Sequence, residues 1–180
     1  MGSRAVAATP SLSRVAAFLA GSLAYPAAAP APPAPDAPSL PSPISTDLER
    51  FAAWRNATPL EQQQELYVAS FDLNPQRSLH LTYHRHADRP ERGAALAELA
   101  HRLREAGRPA GGELPDHLPL LLELAAKTPL GWEILREYRA EVAVLSGRLS
   151  RADHPYAPLF SALGALLEPA LAEGGATKCL

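Results

Sequence analysis

Residues 129–149 read PLGWEILREYRAEVAVLSGRL, and the spacing of their apolar side chains decides the fold class. Ile134, Leu135, Tyr138, Val142, Leu145 and Leu149 recur at three- and four-residue steps. That places them on one stripe of a helix with about 3.6 residues per turn. Working outward, the same period returns in Leu159, Leu163, Leu166, Leu167 and Leu171, which predicts a helix over about 158–172. Upstream, a helix is expected over 116–127, and another over 90–106 with Leu96, Leu99 and Leu103 inside and Gly107 as its stop. Thr58-Pro59-Leu60-Glu61 reads as a helix start, with Thr58 as N-cap and Pro59 at the first helical position. From it Leu60, Tyr67 and Phe71 share a face. Ser45-Thr46-Asp47 opens a helix before Leu48, Phe51 and Trp54. Leu12, Val15, Ala16, Leu19 and Leu23 stripe a first helix over 11–24. Leu79, Leu81 and Tyr83 alternate with His80, Thr82 and His84 in a strand-like period of two. A lone strand has no sheet to join, so helix is expected there too. The whole predicts an all-α chain folded as a single helical bundle.

Composition sets the limits of function. The chain has 180 residues, enough for one domain, and 47% of them are apolar, ample for a core. Lys and Arg number 17 against 19 Asp and Glu, so no basic surplus is present to displace counterions from nucleic acid. The single Cys179 rules out a disulfide within the chain and fits a reducing compartment. Arg4 and Arg14, the apolar run 15–20 and Ala27-Ala28-Ala29 imitate a secretory signal. Gly21 and Ser22 interrupt that run, which is shorter than the ~20 residues of a spanning helix. The amphipathic reading is therefore preferred, with no direct membrane insertion. Residues 26–43 carry eight prolines and six alanines. Proline lacks the N–H that helix and sheet require, so this reads as a polyproline-like tether reaching roughly 55 Å if extended. The expected layout is 1–25 as first helix, 26–43 as insertion or tether, 44–172 as the remainder of the same domain, and 173–180 as tail.

Two polar blocks lie between the apolar stripes. His80 and His84 share a helix face while His86 points away, and neither HExxH nor CxxC accompanies them. They read as surface or helix-end histidines. A metal-dependent enzyme using His80, His84 and a distant His101 or His117 stands as the alternative. Asp116 and His117 point about 100° apart on a helix, which makes a poor dyad. Pro115 fixes the entry of the chain, Asp116 offers negative charge to the helix dipole, and the His117 ring is left for a structural contact or a binding surface. The run from His84 to Gly93 reads either as a solvated loop with Asp88 capping the next helix, or as a recognition loop whose arginines fork onto a partner. There is no GxSxG, no GxxxxGK[ST] and no GxGxxG, so no catalytic, cofactor-binding or metal residue is assigned.

The order of these blocks resembles the nitrate reductase molybdenum-cofactor assembly chaperones, the NarJ or delta-subunit family. The resemblance rests on Leu23-Ala24-Tyr25-Pro26, on Thr58-Pro59-Leu60 followed by Tyr67-Val68 and Phe71-Asp72, and on His84-Arg85-His86 with Glu91-Arg92-Gly93. Its most distinctive string is Glu113-Leu114-Pro115-Asp116-His117-Leu118-Pro119-Leu120. It implies a bundle of the redox-enzyme maturation chaperone (TorD/NarJ-like) type, cytoplasmic, not an enzyme, and a monomer or weak homodimer. The implied partner is the apo catalytic (alpha) subunit of respiratory nitrate reductase, including its N-terminal peptide, during molybdenum cofactor insertion and before membrane attachment. A related molybdoenzyme as client is the alternative. Carried over residue by residue, the partner-binding role falls on Tyr67, Phe71, Asp72, His84, Asp88, Arg92, Pro115, Asp116 and His117. Tyr67 and Phe71 would form an apolar wall and the charged residues its rim. Two departures stand out. The Pro/Ala tract replaces a short acidic turn and a helix, and Ala87, Arg89 and Pro90 replace the usual Gly, Ser and Arg.

Overall fold

The computed structural model describes residues 10–27, 40–108 and 111–168. Within them α1 (Pro10–Leu23) buries Val15, Phe18, Leu19 and Leu23 and lies against α6 (Leu118–Lys127). α6 in turn packs on α7 (Pro129–Glu137). On the other side α2 (Ser42–Ala57) and α8 (Arg139–Arg151) both pack on α9 (Ala157–Leu167). Between these groups run α3 (Leu60–Tyr67), a π-turn (Val68–Asp72), a 3-10 turn (Pro75–Arg77) and α4 (Leu81–His86). α5 (Glu91–Glu105) leans on α4 and buries Leu99 and Leu103. The described residues thus form an all-α domain, as the periodicity predicts. No helix among them is long and apolar enough to cross a membrane.

Prolines place several boundaries. A residue before proline is driven out of the α region, and both Thr58 and Thr128 are extended. Each threonine closes the helix behind it, donating its hydroxyl to Trp54 O or Leu124 O. Thr58 is therefore a stop rather than the expected N-cap of α3. Gln63 completes the joint: its amide donates to Arg55 O, which also takes the Thr58 N–H, and to Thr58 O. After Thr128 the chain turns so tightly that a Cβ on Gly131 would fall 2.1 Å from Ala125 N. Only glycine lets α7 approach α6 this closely.

Three expectations need correction. The stripe over 129–149 is two helices, broken at Tyr138 with φ −102° and ψ 18°. Neither Gly nor Pro causes this. Arg85 from α4 stacks over the Tyr138 ring at 4.1 Å, donates to Glu137 O and forks onto buried Glu141 at 2.7 and 3.0 Å. Second, α2 begins inside the segment expected to be neither helix nor sheet. Pro43 occupies its first turn, where a missing N–H costs nothing. Third, residues 79–84 are neither one helix nor a strand. His80 forms an isolated antiparallel bridge with His117, and α4 starts immediately after it. Most of the expected tether, residues 28–39, lies outside the described residues, as do 169–172 and the tail.

An aromatic spine joins the groups of helices. Tyr156 sits 5.2 Å from Phe51, 5.4 Å from Trp54 and 5.0 Å from Phe71, ring centre to ring centre. Tyr67 reaches the same cluster and donates its hydroxyl to Leu23 O at the end of α1. Offset and edge-on ring pairs add directional attraction to burial. The spine ends where the polar blocks begin.

Candidate functional site

Where α3 widens into the π-turn, and where the chain enters α6, a cleft of about 240 Å³ opens. Tyr67, Phe71, Asp72, Ser78, Leu79, His80 and His117 line it. Four residues predicted for the site, Tyr67, Phe71, Asp72 and His117, thus come together from two separate stretches of sequence, with 78–80 completing the lining. π-turns are uncommon and cluster at functional sites. Here one delivers a buried aromatic, Phe71, next to an exposed carboxylate, Asp72.

Three exposed apolar side chains adjoin residues that line the cleft. Tyr25 is 53% exposed and stands edge-on to Tyr67 at 5.6 Å. Leu73, 74% exposed, follows Asp72, and Leu114, 43% exposed, accepts the His117 N–H on its carbonyl. These are three of the four exposed large hydrophobic residues among those described; the fourth, Val144, lies on α8. Exposed apolar side chains gathered around one concavity mark interaction surfaces, whereas scattered ones do not. Asp72 and Glu113 supply negative charge nearby, and both act on Tyr67 and His117. Burial raises Tyr67 well above the ordinary phenol range, so it remains a neutral hydrogen-bond donor. Burial first, and neighbouring His80 second, lower His117, leaving it a neutral ring.

Behind the cleft lies a polar node, and it overturns the expectation that Asp116 edges the rim. Asp116 is fully buried. Its carboxylate accepts from the Thr82 N–H at 3.1 Å, from the Thr82 hydroxyl and from His80 Nδ1 at 3.0 Å, with Arg92 Nη2 at 4.0 Å. Burial pushes this carboxyl up, but the hydrogen bonds from His80 and Thr82 and the His80 charge together hold it below the usual range. The residue does offer negative charge to a helix start, but to α4 rather than to its own α6. The backbone closes the same joint: Leu81 N–H donates to Asp116 O and Leu118 N–H to Leu79 O. His80 and His117, 5.1 Å apart at ring centres, sit on top of the node.

The arginines expected to fork onto a partner are engaged within the chain. Arg89 donates to Arg85 O and His86 O at the end of α4, Arg92 to the Thr82 hydroxyl, and Arg85 to Glu141. His84 donates from Nε2 to Ser78 O and faces Arg148 through Nδ1, and burial lowers it into the neutral form. Pro115 is buried beside Asp116. Asp88 is exposed in the turn after α4, and no side chain caps α5, so its expected capping role is not seen. Among the described residues no group of three or more His, Cys, Asp or Glu side chains is placed to hold a metal ion. His80, Tyr25, Leu73 and Leu114 were not singled out by sequence for this cleft. Leu114 lies in the Glu113–Leu120 string, but only the bridge between His80 and His117 reveals the pairing of the two blocks.

A family model described as "Nitrate reductase delta subunit" matches residues 37–162. Bacillus subtilis (strain 168) has a relative, "Probable nitrate reductase molybdenum cofactor assembly chaperone NarJ", that is 36% identical over 107 residues, 58% of each chain. In Escherichia coli (strain K12) "Nitrate reductase molybdenum cofactor assembly chaperone NarJ" is 35% identical over 116 residues, 63% of this chain and 49% of that one. "Nitrate reductase-like protein NarX" of Mycobacterium tuberculosis (strain ATCC 25618 / H37Rv) is 37% identical over 112 residues, 61% of this chain and 17% of that protein. The chain spans about half the length of the two NarJ relatives.

Proposed function

The chain belongs to the nitrate reductase delta subunit family, and from that premise we propose that it is an assembly chaperone dedicated to one client. The client is the apo catalytic subunit of respiratory nitrate reductase, engaged through segments that include its N-terminal peptide. The chaperone holds it during molybdenum cofactor insertion, in the cytoplasm and ahead of membrane attachment. The relatives' printed names support the cofactor-insertion role. What carries the reading in this chain is the cleft itself, lined by Tyr67 and Phe71, with exposed Tyr25, Leu73 and Leu114 adjoining its lining residues.

Such a surface performs recognition without bond chemistry. Apolar side chains of a peptide gain from leaving water against the aromatic wall, and a central aromatic anchor carries most of the affinity of such contacts. Asp72 and Glu113 at the mouth set register by favouring positive charge. His117 contributes a neutral ring, while Asp116, Arg92, Pro115 and His84 act from behind by fixing the walls. Asp88 stands apart from the cleft, so its part in binding rests on the family resemblance alone. Release follows when cofactor insertion closes the client, because a chaperone with differential affinity for the open state then loses it.

Capture of the apo catalytic subunit by the immobilised chain tests this directly. Retention of the apo form and not the cofactor-loaded form is the expected result. Equal retention of both, or of neither, would remove the proposal.

A further inference from the structure

The π-turn that presents Phe71 and Asp72 is held from outside the cleft. Ser70, inside that turn and 2% exposed, donates its only hydroxyl proton to Leu66 O, one turn back. Hydroxyl back-bonding of this kind loosens and bends a helical ladder. The same oxygen lies 2.7 Å from Nε2 of His154, in the segment between α8 and α9. The tautomer of that ring follows from its other nitrogen. Nδ1 accepts the Tyr156 N–H at 3.3 Å, so the proton resides on Nε2 and the imidazole donates to Ser70. A serine whose proton is committed elsewhere, and which receives one from histidine, is not an activated nucleophile. The pair is therefore not half of a catalytic dyad. His154 also packs beside Phe71, at 6.3 Å between ring centres.

We propose that Ser70 and His154 form a positioning clamp that keeps Val68–Asp72 in π geometry and so sets Phe71 and Asp72 in the client cleft. The inference rests on the client-binding reading above. A π-turn accommodates one residue more than an α-turn, so reversion to α-helix rotates the side chains beyond the change by about 100°. Asp72 would leave the rim, although the core beneath, Phe71 included, stays apolar.

The full-length chain and three variants are titrated against the apo catalytic subunit, with circular dichroism recording helix content. Ser70→Ala and His154→Leu should each weaken binding about tenfold or more while the chain stays helical. His154→Gln, whose amide N–H can reach the Ser70 hydroxyl, should recover most of the affinity. In wild-type protein, long-range proton–nitrogen NMR at pH 7 should place the His154 proton on Nε2. Should His154→Leu fail to fold, Ser70→Ala carries the test, because it leaves the imidazole in place. Wild-type affinity in Ser70→Ala overturns the clamp and leaves the client reading standing. Loss that His154→Gln does not recover, or a proton on Nδ1, overturns it equally. Failure of the wild-type chain to bind overturns both.

Discussion

Asp116→Ala should be among the most destabilising single substitutions in this domain. Thr82 is fully buried, and it gives both its N–H and its hydroxyl to the lost carboxylate. Each buried donor left without a partner costs about 1–3 kcal/mol. Arg92 is partly exposed and can turn to water, so it adds little. The expected loss is about 4 kcal/mol, which for a domain of this size corresponds to roughly 8–16 °C in Tm. Because the folded carboxyl lies below its ordinary value, its contribution is present above about pH 4 and disappears as pH falls through the folded value. Urea unfolding of wild type, Asp116→Ala, Thr82→Val and the double variant provides the assay. The double variant should lose much less than the two single losses combined, since the two residues form one network. An Asp116→Ala unfolding free energy within about 0.5 kcal/mol of wild type would refute the buried node.

Other substitutions test other joints. Gly131→Ala drives a methyl group into the α6 backbone and should cost about 3 kcal/mol or more, read from the same unfolding curves; a neutral result would mean that α7 can shift away. Ala87 is held at φ +50° and ψ −131°, a region glycine adopts without strain, so Ala87→Gly should stabilise the chain by about 1 kcal/mol. No gain there would show that the turn relaxes. Burial first, and Arg77 second, hold His154 down at about 4, against about 6.5 for an unfolded histidine. The unfolded chain then binds the extra proton, so stability is full above about pH 6.5 and falls by about 3 kcal/mol as pH drops to about 4. His154→Gln should flatten that slope in unfolding midpoints measured between pH 7 and 4; an unchanged slope would assign the titration to another group.

Helix identity was legible wherever a single stripe met a single partner. Ile134, Leu135, Tyr138, Val142, Leu145 and Leu149 are all buried where their period puts them, as are Leu159, Leu163 and Leu167. The break at Tyr138 was not legible, because Arg85, more than fifty residues upstream in the chain, imposes it through Glu137 O and Glu141. Local sequence cannot encode a boundary made by a distant side chain. The same reason hid Asp116. A carboxylate beside Pro115 at a helix start looks like a surface cap, and only the bridge between His80 and His117 turns it inward to serve α4. Tyr67 and Phe71 were readable as an apolar face. The π-turn that follows Tyr67 was not, because Ser70 carries no helix-breaking signature to announce one.

On the reading proposed above, the cleft between the π-turn and the start of α6 grips an unfinished catalytic subunit. Calorimetric titration of that apo subunit into four chains tests it most directly: wild type, Leu73→Ser, Leu114→Ser and Val144→Ser. All three substitutions replace exposed apolar side chains, so stability should stay close to wild type. The account predicts affinity lowered about tenfold or more by each of the two changes beside the cleft, and unaltered by the change on α8. Equal affinity across all four chains, or a loss confined to Val144→Ser, would contradict it.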